Sequence, residues 1–129
     1  MRSITMVDAL YDLIGGRQTV WAATDSFYRR VLADESVSHF FKTTDMGHLL
    51  ARQSMFISML LGGRVVYIYT GKDITAAHAQ PREQGLNDTH FDAFLKHSRA
   101  ALEEVGVKAD KAEKVMKLLE GKRGAVLNR

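Results

Sequence analysis

The stretch LLARQSMFISMLLGG, residues 49–63, has the spacing of an amphipathic helix that ends at a glycine pair. Its apolar residues recur every three or four positions, which is the period of one helix face. The predicted inward stripe is Met46, Leu49, Leu50, Gln53, Phe56, Ile57 and Leu60. Gln53 is the polar member, and burying an amide without partners costs about 1–3 kcal/mol. We therefore expect Gln53 to meet a buried polar partner or a ligand.

Length and composition limit the class of protein. A chain of 129 residues is most simply one domain, 1–129, with a single core. It has neither an apolar run long enough to span a membrane nor a secretory signal, so we expect a cytoplasmic protein without membrane contact. There is no cysteine, which excludes disulfides, thiolate metal sites and cysteine nucleophiles.

The net charge of +3 does not indicate a nucleic-acid partner. The excess is C-terminal, where lysines at 108, 111, 114 and 117 are interspersed with acids. This pattern favours the solvated face of a terminal helix. We expect no nucleic-acid binding, since the aromatic or groove-reading elements that accompany it are missing.

Helical spacing and stop signals recur along the rest of the chain. A short first helix ends at Gly15-Gly16, and a second runs from about Thr19 to Leu32 with Trp21 beside its apolar set, which predicts burial on most of its circumference. Further helices begin at Asn87 or Asp88 and near Ala109. The strand-like segment 64–72, with Val66, Tyr67 and Tyr69, has no second such run to pair with, so we expect an ordered connection. The sequence predicts an all-α domain of four substantial helices and two short ones.

His78 stands out among the five histidines. It follows Ile74, Ala76 and Ala77, which are small or apolar and would let a flat cofactor approach closely. Asp73 or Thr75 can cap a very short helix here, and Pro81 is expected to stop or kink it. On these residues His78 is either a partly buried core histidine or the one axial ligand that a haem requires from a protein. The other histidines, 39, 48, 90 and 97, fall in polar or capping surroundings.

Tyr28 is a second polar tip inside an apolar helix. Its hydroxyl lies either in water at the rim or in the core, where it needs a partner. Tyr28 and Gln53 could bond to each other, or both could face a small polar ligand. Ser54, Arg52 and His48 are predicted to lie off the inward face, with the charge of Arg52 directed outward. Hydrolase, nucleotide-binding, EF-hand and di-iron motifs are absent from the sequence.

An ordered set of short motifs runs from about Leu10 to Asn128. It comprises Gly15-Gly16, Phe27-Tyr28, His39-Phe40-Phe41, Asp45-Met46, Gln53 with Phe56, Gly62-Gly63, Tyr69-x-Gly71-Lys72, Ala77-His78, Gly85-Leu86-Asn87, His90-Phe91, Gly106-Val107 and Val126-Leu127-Asn128. In this set the chain resembles group I truncated haemoglobins, close to their cyanobacterial branch. The resemblance implies the two-over-two globin fold, in which haem is enclosed between antiparallel helix pairs.

The resemblance also implies roles for individual residues. His78 would be the proximal iron ligand of haem b, and Tyr28 and Gln53 would be distal hydrogen-bond donors to a bound gas. Either Phe40 or Phe41 would pack on the haem face, and Lys72 would lie near a propionate. We expect Leu49 and Phe56 to shape ligand access, and Arg52, Tyr69 and Ile74 to border the cofactor.

Three positions depart from the pattern of cyanobacterial relatives. Leu49 replaces a polar distal residue, which should leave Tyr28 and Gln53 as the main donors. Arg52 replaces a histidine able to coordinate iron, so we expect a five-coordinate ferrous protein, since guanidinium is a poor ligand. Lys122 replaces a histidine that can become linked to a haem vinyl group, which puts that link in doubt.

The function implied is reversible binding of dioxygen, nitric oxide and carbon monoxide by a monomer. Its most plausible turnover is dioxygenation of nitric oxide to nitrate with an external reductase. Gas storage or sensing without turnover is the alternative. A helical interaction domain without cofactor, with His78 and Gln53 as satisfied core residues, is a third hypothesis.

Overall fold

The structure, a computed structural model, describes residues 9–62 and 78–128. Within these ranges the chain is helical and forms no strand, which confirms the all-α prediction. None of the described helices is long and apolar enough to cross a membrane. In chain order the elements are α1 (Leu10–Leu13), α2 (Gly16–Leu32), α3 (Glu35–Ser38), a 3₁₀ turn (His39–Phe41), α4 (Met46–Leu60), α5 (Ala79–Glu83), α6 (Asp88–Glu104), α7 (Ala109–Glu120) and α8 (Arg123–Leu127).

Local signals place the ends of the long helices. The Asp45 carboxylate accepts a hydrogen bond from the His48 amide at 3.1 Å and so caps α4. Asn87 caps α6, and the His90 side chain accepts from the Asn87 amide to complete a capping box. Gly106 follows α6 with a φ of +86°, which suits glycine at a helix end. The predicted end of α4 at the glycine pair and the predicted start of α6 at Asn87 or Asp88 are confirmed.

The core lies where α2 packs against α4 and α6, and α6 against α7. The Tyr11 amide donates to the Leu61 carbonyl at 2.9 Å, which ties α1 to the end of α4. On α7 the residues Ala112, Val115 and Met116 are buried, so this helix turns one face to the core. The main buried cluster is Val20, Leu61, Leu102, Val107, Ala112, Val115 and Met116.

The second helix differs from its prediction. It begins at Gly16 rather than Thr19, and it is not buried around most of its circumference. Trp21 and Leu32 are 45% and 46% exposed, whereas their neighbours Val20 and Val31 are buried. Successive helix residues point about 100° apart. Burial of one residue of each pair against α4 and α6 therefore turns the other toward solvent.

Pro81 does not end the helix that follows His78. The residue lies inside α5, as its third residue, so the prediction that helix stops before Pro81 is wrong, while the short helix predicted from Asp73 or Thr75 begins outside the described residues. The first four amides of a helix have no intrahelical acceptor, and a proline there removes no hydrogen bond. His78 does lie at a helix end, because its carbonyl accepts from the Arg82 amide at 3.0 Å.

Some predictions fall outside the described residues. They concern the connection 64–72 and the residues Tyr69, Lys72 and Ile74. The single domain over 1–129 stays a prediction.

Candidate functional site

Tyr28 is a buried phenol on α2, with 8% of its surface exposed. Its ring makes edge contacts with Phe27, at 4.9 Å between centroids, and with Phe41, at 5.8 Å. Burial raises the pKa of the Tyr28 hydroxyl far above its ordinary value, and the positive charge of Arg52 lowers it by a smaller amount. The hydroxyl therefore stays protonated and can donate a hydrogen bond. Arg52 is exposed as predicted, and its positive charge nevertheless acts on the pKa of the buried Tyr28 hydroxyl.

Gln53 is half-buried on the face of α4 that the sequence predicted to be inward. The rest of that stripe, Leu49 included, is also half-buried, while Arg52 and Met55 on the other side are exposed. Tyr28 and Gln53 are not hydrogen-bonded to each other, and neither makes a hydrogen bond to another side chain or backbone group of residues 9–62 and 78–128. Tyr28 and Gln53 could bond to each other or face a small polar ligand, and the direct bond is therefore not the arrangement adopted.

A cavity of about 80 Å³ adjoins Gln53. Two of its lining hydroxyls are turned onto their own helices: Thr24 donates to the Val20 carbonyl at 2.7 Å, and Ser98 donates to the Phe94 carbonyl at 2.9 Å. Among the residues that the structure describes, the Gln53 amide is thus the polar group of this lining that has no hydrogen-bonded partner. Apolar cavities of this kind stay dry and accept small apolar molecules. The lining residues are Ile14, Val20, Ala23, Thr24, Phe27, Gln53, Ile57, Leu61, Ser98, Ala101, Leu102, Val115 and Leu119.

The 3₁₀ turn brings two aromatic rings to the same region. Phe41 lies between Tyr28 and Phe94, and Phe40 contacts Phe94 at 6.5 Å between centroids. Phe40 and Phe56 both pack against a buried cluster made of Leu86, Phe91 and Val126. Three residues predicted to border a cofactor, Phe40, Phe41 and Phe56, are thus brought together by α4, α6 and the turn.

His78 is half-buried just before α5. The following helix, α5, is bound to the C-terminal segment, because Arg82 Nη1 donates to the Val126 carbonyl at 3.0 Å. In the described part of the chain, no group of three His, Asp or Glu side chains could hold a metal ion. Haem needs only one axial histidine from a protein, so His78 alone could serve as its ligand. The apolar aromatic walls and the two neutral donors fit such a flat apolar group.

The sequence reasoning missed two features near this region. Ser54 was placed off the inward face, but it is only 7% exposed and its Oγ has no hydrogen-bond partner among the described residues. The buried arc of α4 is therefore wider than its apolar stripe. His97, assigned to polar surroundings, bonds to Asp34 at 2.7 Å. No local signal marks either feature, because both depend on which helices pack together.

Comparisons with known proteins agree with this geometry. The family model described as bacterial-like globin matches residues 9–128. The chain is 40% identical over 120 residues to a group 1 truncated hemoglobin of Tetrahymena pyriformis, covering 93% of this chain and 95% of the relative. It is 39% identical over 105 residues to one of Synechocystis sp., covering 81% and 83%. The crystal structure of the 2/2 hemoglobin of Synechococcus sp., in the cyanomet state and with covalently attached heme, superposes with a TM-score of 0.87 at 35% identity, covering 95% of this chain and all of that one. These matches confirm the predicted two-over-two fold.

Proposed function

Because the chain belongs to the bacterial-like globin family as a group 1 truncated haemoglobin, and so to globins that bind haem and gases, we propose that it holds haem b and reversibly binds dioxygen, nitric oxide and carbon monoxide. The observation that carries the proposal is the state of two side chains, Tyr28 and Gln53. Both are uncharged hydrogen-bond donors with no bonded partner among residues 9–62 and 78–128, and Gln53 lines an apolar cavity.

The residues would divide the work as follows. His78 would bind the iron, while Phe40, Phe41, Leu49 and Phe56 would form the apolar walls. Arg52, Tyr69, Lys72 and Ile74 are proposed to border the cofactor, with Lys72 near a propionate. Bound haem supplies an iron with an open position for small gases.

Tyr28 and Gln53 would orient and retain a polar gas ligand. Donor hydrogen bonds gain strength where water is excluded, and the buried phenol cannot ionise in the neutral pH range. The cavity beside Gln53 would admit small apolar molecules and exclude water. Free dioxygen is apolar, which suits the apolar cavity beside Gln53. The two polar donors would then hold the gas at the site.

Absorption spectra of the purified protein test the proposal. We expect haem bands in the ferric form, a five-coordinate high-spin ferrous form, and a shifted Soret band when carbon monoxide is added. Protein that stays colourless with haemin supplied would instead support a helical domain without cofactor.

As a turnover, we propose that one nitric oxide, one dioxygen and one electron give one nitrate. The electron would come from an external reductase, since the sequence has no flavin or nicotinamide motif. Nitrate formed in proportion to nitric oxide consumed, with a cellular reductant present, is the expected result. Gas binding without nitrate formation would favour storage or sensing. We further propose a cytoplasmic monomer that binds neither nucleic acid nor membrane.

A further inference from the structure

His97 and Asp34 form a partly buried contact between distant parts of the chain. His97 Nε2 lies 2.7 Å from Asp34 Oδ2, and the two side chains are 15% and 28% exposed. His97 is on α6, whereas Asp34 follows α2 and precedes α3. The contact therefore fastens the corner between α2 and α3 to the side of α6.

The second oxygen of the same carboxylate begins α3. Asp34 Oδ1 accepts from the Ser36 amide at 3.0 Å and from the Ser36 hydroxyl at 2.8 Å, and Asp34 is the N-cap of the helix. The hydrogen bond with His97, followed by those from Ser36, lowers the pKa of Asp34 to about 2, so the carboxylate is ionised at neutral pH.

The helix that Asp34 caps is too short to hold its place alone. α3 spans Glu35–Ser38 and contributes one buried side chain, Val37. Helices of so few residues depend on caps and tertiary contacts. α3 continues without a break into the 3₁₀ turn, and the turn itself has no side-chain cap. The anchor at Asp34 fixes where α3 begins and so, together with the ring contacts of Phe40 and Phe41, where the turn lies.

The 3₁₀ turn also positions Phe41, whose ring lies next to the Tyr28 phenol. Phe41 meets Tyr28 edge-on at 5.8 Å and Phe94 at 6.3 Å. Phe94 lies three residues before His97 on α6, and this spacing places both side chains on neighbouring parts of one helix face. One face of α6 thus contacts the turn through the Phe94 ring and the N-cap of α3 through the hydrogen bond of His97.

We infer that His97 is a positioning residue for the gas site: through Asp34 it holds α3 and the aromatic turn, and so keeps Phe41 against Tyr28. This extends the proposed function, and only its last step, the effect on gas release, rests on that function. The first step concerns the protein alone. It is tested by the exchange of α3 amide hydrogens, which needs no gas.

The experiment compares three variants of the full-length protein. His97→Leu removes the donor, and His97→Gln restores an N–H at a similar reach. Arg99→Leu, on the same helix, breaks an exposed ion pair of 3.1 Å with Glu113 and serves as the control for general destabilisation. Hydrogen exchange of residues 35–41 and the rate of dioxygen release are measured for each.

We expect His97→Leu to speed exchange of the Ser36 amide at least about fivefold and to change dioxygen release at least about threefold. His97→Gln and Arg99→Leu should stay within about twofold of the parent protein in both measurements. Unchanged exchange in His97→Leu would refute the anchor itself. Faster exchange with unchanged gas release would refute the positioning role, as would a Gln variant that behaves like the Leu variant.

Discussion

Replacing Tyr28 and Gln53, the two proposed distal donors, is the perturbation that tests the proposed site most directly. Tyr28→Phe removes only a hydroxyl, because the ring contacts with Phe27 and Phe41 are made by ring atoms that phenylalanine keeps. Gln53→Leu removes the amide from the cavity lining and leaves an apolar side chain of similar size. Both changes should therefore speed dioxygen release without disturbing the packing of α2 on α4.

The expected magnitude follows from the worth of one hydrogen bond. An uncharged hydrogen bond contributes about 0.5–1.5 kcal/mol net, and about 1.4 kcal/mol corresponds to a factor of ten in rate. Each single variant should release dioxygen roughly twofold to tenfold faster than the parent protein. The two donors would share one small ligand, so the double variant should fall short of the product of the single effects.

Dioxygen release is measured by stopped-flow mixing of the oxygenated protein with carbon monoxide. Tyr11→Phe is the matched control, because Tyr11 is a partly buried tyrosine that packs against the main core and does not line the cavity beside Gln53. It should release dioxygen at the parent rate. Parent-like release from both distal variants would remove Tyr28 and Gln53 from the gas site and refute the reasoning.

The remaining predictions concern stability and cofactor retention. Ser54→Ala should leave the free energy of unfolding in urea unchanged or raise it by up to about 1 kcal/mol, because the buried Ser54 Oγ has no described partner; a clear loss would show a hidden bond. Arg123→Met should cost about 1–2 kcal/mol, since Arg123 binds three carboxylates and lies over the Phe91 ring. Hydrogen bonds from Ser26 and then Arg30 lower the pKa of Glu104 to about 2, so the stability that Glu104 adds is present above about pH 4.5 and is lost as the pH falls toward 2; Glu104→Gln should flatten this acid limb of the unfolding profile. Acidic butanone should extract the haem completely, because position 122 is lysine, and colour left with the protein would contradict this.

The sequence by itself was enough to determine the end of α4 and the start of α6, whereas it misplaced the start of α2. Periodicity, the caps at Asp45 and Asn87, and the positive φ angles of Gly62 and Gly106 are properties of a few neighbouring residues. For the same reason the inward orientation of Gln53 could be predicted from its place in the apolar stripe. The role of His78 as the iron ligand stays a prediction, drawn from its neighbours and from the resemblance together.

Only the tertiary structure decided which distant groups meet. Asp34 and His97 are 63 residues apart, and Ser26 and Glu104 are 78 residues apart. From the sequence alone, any of several acids could pair with His97 or with Ser26. Likewise, whether Trp21 or Val20 faces the core, and whether Ser54 is buried, depends on the side from which α2, α4 and α6 approach one another. Helix periodicity records an apolar face, but the width of the buried arc is set by packing between helices.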